Sequence, residues 1–315
     1  MVLNGFPLGL VWGLVFSYVE GRKFTELIGA MLACTFVFSS GWVKTIALWL
    51  QSSLELSINE VPYITGAFAL FPAVIFIILL ERFPGPTAED IELRLERKAL
   101  DHPTQKKILG DLQYLILPFV IIYGLLTILR DFRDNFSADM LNQYLVYNTL
   151  SFVKIELPIT LLLLCIVPVF SFIKSHTKSL KLTAYCITIG GFICLISVIG
   201  FQLQLISLPA LLVISGTGLY LGYILINISV MDRIIGLSGT NGNSGFLIYI
   251  ADSVGYLFSL TITSVALLGK TKSIDWVSIF DKLTIVGSIL IIALSQIIIY
   301  QINKSTNKNE NIIAA

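Results

Sequence analysis

Along the chain, runs of about twenty apolar residues alternate with short polar intervals, and runs of that length cross a hydrocarbon core roughly 30 Å thick as helices. They predict nine spans: Leu3 to Tyr18, Leu27 to Leu50, Val61 to Leu80, Leu112 to Arg130, Thr149 to Ile173, Leu182 to Phe201, Leu208 to Met231, Phe246 to Leu268 and Leu283 to Ile302. An odd number of spans puts the two termini on opposite membrane faces. Met1 leads into the first run with no basic segment before it, so that run is expected to stay as an anchor and not to be cleaved as a signal peptide. The expected fold class is all-α, a polytopic helical membrane protein with no soluble catalytic domain.

One interval is long. Residues Glu81 to Asp111 divide three helices from six, which predicts a partial N-terminal bundle over 1–81, a cytoplasmic linker over 82–111, a six-helix bundle over 112–303 and a cytoplasmic tail over 304–315. Pro84-Gly85-Pro86 opens the linker with a turn, and Thr87 followed by Asp90 has the spacing of a helix capping box. The stretch Ala88 to Leu100 carries charges of both signs around most of a helix, with Asp90 and Arg94 one turn apart. A solvated linker helix is expected there in preference to a partner-binding element.

Charge placement orients the spans. Assigned alternately, one set of loops holds Arg22, Lys23, Arg82, Arg94, Arg97, Lys98, Lys106, Lys107, Lys174, Lys178, Lys181, Arg233, Lys304 and Lys308; the other holds Arg130, Arg133, Lys270 and Lys272. Cytoplasmic loops carry the excess of Lys and Arg. The first set is therefore expected inside, with the N-terminus outside and the C-terminus cytoplasmic.

Composition narrows the chemistry. The chain is 56% hydrophobic and 13% charged, against about 45–50% and 25% in soluble domains. Its net charge of +1 comes with no basic stripe, which argues against a nucleic-acid partner. Cys34, Cys165, Cys186 and Cys194 sit singly inside apolar runs, and His102 and His176 are lone residues in polar loops. That leaves little for a metal site, a cofactor or a catalytic triad, and no enzyme activity is expected. The segment Gly236 to Asn243 is glycine-rich but lacks the Gly-Lys-Ser/Thr ending of a phosphate loop.

Polar side chains inside the spans are the best functional pointers, because a charge at the centre of a membrane helix costs at least about 2.5–3.5 kcal/mol. In the fourth span Tyr123, Thr127, Arg130 and Asp134 form one stripe toward the outer end, which Asp131 can join. The plainer reading is a helix end among lipid headgroups with an Arg130–Asp134 pair. The fifth span carries Lys154 and Glu156 just before Pro158; Glu156 is placed to meet Arg130 or Arg133, as a substrate contact or a structural ion pair. In the eighth span Tyr249, Asp252, Tyr256, Ser259 and Thr263 recur at helical spacing. Lys44 lies deep in the second span with Ser40 one turn before it, and Thr217, Tyr220 and Asn227 share a face of the seventh. Trp12, Trp42, Trp49 and Trp276 are expected as packing or interface anchors.

Gly5, Gly9 and Gly13 leave one face of the first span bare, Gly218 and Gly222 do the same in the seventh, and these helices end at Glu20-Gly21-Arg22 and Asp232-Arg233. If the two are equivalent, six helices separate them, the spacing of the halves of a six-plus-six transporter. The stretch Asn4-Gly5-Phe6-Pro7-Leu8-Gly9, continuing to Glu20-Gly21-Arg22-Lys23-Phe24-Thr25-Glu26 and Ser39-Ser40-Gly41, resembles the fourth and fifth helices of the major facilitator superfamily. With Arg130-Asp131-Phe132-Arg133-Asp134-Asn135-Phe136, the whole chain resembles an uncharacterised bacterial family of that superfamily. The resemblance covers helices four to twelve. It implies that the first three are missing, that the chain is an N-terminally truncated form from a misplaced start or a gene remnant, and that it sits in a bacterial inner membrane.

The function expected is a secondary transporter, or permease, of a small solute. Lys44, Arg130, Arg133, Glu156, Asp252, Tyr249 and Tyr256 would form the substrate or proton path, with Glu20, Arg22, Asp232 and Arg233 as cytoplasmic gate motifs. Its partners would be the bilayer and a small-molecule solute accompanied by a proton or sodium, with the oligomeric state open. The alternative is a non-transporting membrane scaffold or sensor whose polar stripes serve only helix association.

Overall fold

The computed structural model describes residues 14–15, 18, 25–85, 87, 101–144, 151–239, 244–268 and 274–314. Among them the regular structure is helical, with no strand. In chain order the helices are α1 (Thr25–Leu54), α2 (Val61–Glu81), α3 (His102–Asp111), α4 (Gln113–Gln143), α5 (Ser151–Ile166, prolonged by a 3-10 turn over Val167–Phe172), α6 (His176–Gln202), α7 (Leu208–Leu237), α8 (Gly245–Leu268) and α9 (Trp276–Ala314). All but α3 are long and apolar enough to cross a bilayer. The chain is a polytopic helical membrane protein, as its apolar runs predict. Most of the first span lies outside the described residues, together with Gly5, Gly9, Gly13, Trp12, Glu20, Arg22 and the linker stretch Ala88 to Leu100. Tyr18, at that span's end, donates to Glu81 Oε2 at the end of α2 (2.7 Å), so these two ends share a membrane face.

Two helix boundaries depart from the sequence reading for one reason. The charges from Arg130 to Asp134 imitate a headgroup boundary, yet α4 continues to Gln143, and α9 begins at Trp276 instead of Leu283. Beyond Arg130 an apolar stripe continues at helical spacing through Phe132, Phe136 and Met140, and the start of α9 packs onto it. Phe136 stacks on Trp276 with ring centroids 4.1 Å apart, and Phe132 stacks on Phe280 at 6.4 Å. Aromatic burial of this kind outweighs the local charge pattern. At its other end α9 stays helical through Ala314, into the expected tail. α3 is an element the sequence reading lacked. Asp101 caps it by accepting from the Thr104 N–H (3.4 Å), and Pro103 stands in its first turn.

α4 is the central helix, packed by α7, α8 and α9, while α6 lies across α7 and α9. Gly190 and Gly218 mark the α6–α7 crossing: a Cβ on either would run into the other's carbonyl oxygen. That is the close approach expected of the glycine face. On the opposite flank α1 packs along α5, where Ala30, Cys34 and Val37 share a buried cluster with Ile159 and Leu163 of α5 and Leu225 of α7. α2 rests on α1 and otherwise exposes Phe68, Phe71, Phe76 and Ile77, as a helix solvated by lipid does. Inward polar faces therefore converge on α4.

Candidate functional site

Tyr123, Thr127, Arg130, Asp131, Asp134 and Ser137 follow one another along the inside of α4, over about 21 Å at ~1.5 Å per residue. Each segment of this column is completed by side chains from neighbouring helices.

In the first segment the Tyr123 hydroxyl donates to Asp252 Oδ1 of α8 (2.6 Å), lies 3.1 Å from the Tyr223 hydroxyl, and accepts from Asn227 Nδ2 (3.2 Å). The Tyr123 and Tyr223 rings stack with centroids 5.0 Å apart. Asn227 belongs to a π-turn over Ile226–Val230, where the extra residue shifts the phase of α7. Beside these groups is a cavity of about 10 Å³ lined by Tyr123, Ile226, Asn227, Met231, Ala251 and Asp252, the size that holds a single water.

In the middle segment Arg130 donates through Nε (2.9 Å) and Nη2 (2.6 Å) to Asp131 Oδ1, and Ser259 of α8 donates to Asp131 Oδ2 (2.6 Å). The guanidinium lies over the Tyr223 ring, 4.2 Å from its centroid. Cation–π contact and ion pairing thus share one charge.

The last segment is the most buried. Arg133, 1% exposed, places Nη1 at 2.9 Å from Glu156 Oε1 of α5 and 3.2 Å from Asp134 Oδ1, and its Nε donates to the Leu212 carbonyl of α7 (3.2 Å). The Tyr220 hydroxyl donates to the Asp134 carboxylate at 2.8–2.9 Å. From α1, Lys44 Nζ donates to the Asp134 backbone carbonyl (2.6 Å) and to Ser137 Oγ (3.2 Å). Two glycines admit the Arg133–Glu156 pair. A Cβ at Gly41 would stand 2.5 Å from Glu156 Cγ, and one at Gly216 would stand 2.9 Å from Arg133 Nη2. Arg133 Nη2 and Glu156 Oε2 have no hydrogen-bond partner.

The column binds charges of both signs and hydroxyl groups in series, a suitable lining for an ion or small polar solute. No group of three or more His, Cys, Asp or Glu side chains is placed to hold a metal among the described residues. Residues 1–304 match DUF5690, a family of unknown function. The chain belongs to the DUF5690 family. No curated protein and no solved structure matches it.

In this DUF5690 chain Lys44, Arg130, Arg133, Glu156 and Asp252 all join the α4 column. Glu156 pairs with Arg133, and Arg130 takes its neighbour Asp131 in place of Asp134. The α8 stripe divides: Asp252 and Ser259 turn onto α4, while Tyr249 and Tyr256 are 74% and 56% exposed on the open side. Lys154 is exposed. Asp232 accepts from the Ser244 hydroxyl, and Arg233 donates to the Phe170 carbonyl (3.5 Å). Tyr223 went unrecognised in the sequence, although its three- and four-residue spacing from Tyr220 and Asn227 marks the same face. Asp281, two residues ahead of the expected span start at Leu283, is a buried residue within α9.

Proposed function

We propose that the chain is a secondary transporter of a small polar solute, built on the plan of the major facilitator superfamily. What carries the reading is the α4 column itself. Three bases and four acids lie among apolar helices, tied to α1 before the long 82–111 interval and to α5, α7 and α8 after it. Each such charge is costly at membrane depth, by about 2.5–3.5 kcal/mol or more. A path that must accept a polar solute gives that cost a use.

On this reading α4 to α9 form one bundle, and α1 and α2 with the first span belong to the other. Alternating access would separate α1 from the α4–α5 face, exchanging the Lys44 contacts for solute contacts. Arg130, Asp131 and Asp252 would line the route, with Tyr249 and Tyr256 as walls facing the second bundle. A proton or sodium would travel with the solute. The protein would perform no covalent chemistry, and would lie in a bacterial inner membrane with its C-terminus in the cytoplasm.

The test is a solute library screened by thermal shift on the purified chain, with hits carried into liposome uptake. A solute that both stabilises the protein and accumulates in an Arg130-dependent way supports transport. No shift and no uptake across the library favours the scaffold reading, in which the column only holds helices together.

A further inference from the structure

The column carries one more acid than base, and the surplus is localised. Asp131 is held by Arg130, Glu156 by Arg133, and Asp134 accepts from Arg133 while its carbonyl receives Lys44. Asp252 has no base within ion-pair distance among the described residues. Among the described residues its hydrogen bond is the 2.6 Å donation from Tyr123 to Oδ1, which leaves Oδ2 without a partner there. The groups that face it are Tyr123 and Arg130 of α4 and Tyr256 of its own helix, with Tyr223 of α7 stacked on Tyr123 and Asp131 held by Arg130 just beyond. Arg130, the single base among them, is already committed to Asp131. The water-sized cavity opens beside this carboxylate and not beside Glu156.

The geometry points to Asp252 as the proton-exchange residue of the column, loaded and unloaded through the adjacent cavity, with Tyr123 as its positioning residue. A hydronium ion in the cavity gives its proton to Asp252 Oδ2 and remains as water; release reverses the step. Loading makes the column neutral, three bases against three ionised acids. Protonating Glu156 instead would also balance the count, but it would leave Arg133 with Asp134 alone and Asp252 ionised with no base paired to it. Tyr123 biases the exchange, because a hydroxyl that donates to a carboxylate favours its ionised form. The proposal deepens the transport reading of the same column by naming its coupling ion and its carrier.

Infrared difference spectra between acid and alkaline pH test it on the full chain in liposomes, with no solute present. A protonated-carboxyl carbonyl band should titrate in the wild type, vanish in Asp252→Asn and persist in Glu156→Gln. Tyr123→Phe should carry its midpoint to higher pH by about one to two units, the value of one hydrogen bond to a charged group. A band that survives Asp252→Asn, or a midpoint unmoved by Tyr123→Phe, overturns the assignment. Sodium bleaching the wild-type band at constant pH overturns it in favour of a metal-cation site. Uptake measurements separate the two claims. Proton-driven uptake that persists in Asp252→Asn removes the carrier and leaves transport standing, whereas a band that titrates at Asp252 without uptake of any solute removes transport and leaves the proton site.

Discussion

Arg133 and Glu156 bear the largest desolvation cost in the column, since both are almost wholly buried, at 1% and 3% exposure. Their 2.9 Å contact offsets that cost only while both are present. Breaking a buried pair by removing one member costs about 3–5 kcal/mol, whereas replacing both by apolar side chains is often neutral. Glu156→Ala should therefore lower the unfolding free energy in detergent by roughly that amount, and Arg133→Met with Glu156→Leu should recover most of it. Equal losses in the single and double variants would show that the pair does not hold α4 to α5. Gly216 tests the same spot from the backbone side. A Cβ there would lie 2.6 Å from Ile159 Cδ1 and 2.9 Å from Arg133 Nη2. Gly216→Ala should cost about 1–3 kcal/mol by overpacking, measured in the same denaturation series, and less once Arg133 is Met.

At the level of elements, hydrophobic periodicity located every described span but misplaced the ends of α4 and α9. The cause is the column. Arg130, Asp131, Arg133 and Asp134 read identically in sequence whether they meet headgroups or meet Glu156, Tyr220 and Ser259 on other helices. Only the partners decide, and they lie far along the chain. Lys44, Glu156 and Asp252 were legible because an isolated charge in an apolar run has few tolerable environments. Tyr223 was not, because an aromatic residue in a membrane helix is ordinary packing until its hydroxyl finds a partner. If the Phe136–Trp276 stack holds the end of α4 in helix, Trp276→Ala should speed amide hydrogen exchange over residues 131–143 while residues 113–128 stay protected. Uniform protection along α4 in that variant would mean that the charge network alone sustains the extension.

For the whole molecule, the corrected course of α4 bears on how the chain sits in the bilayer. With Arg130 and Arg133 inside a helix bundle, the loops alternating with the basic set retain Lys270 and Lys272, and the same test removes Arg233, buried within α7, from the basic set. The bias that orients membrane helices counts loop Lys and Arg, so a cytoplasmic C-terminus is the expectation to test. In a variant lacking Cys34, Cys165, Cys186 and Cys194, Lys272→Cys should react with a membrane-impermeant maleimide on intact cells. Lys178→Cys, exposed near the start of α6, should react only after permeabilisation. The reverse pattern would invert the molecule and turn the Tyr123–Asp252 end of the column to the outside. Proton loading would then begin from the opposite compartment, so the labelling result also fixes the direction in which a proton gradient would drive the cycle.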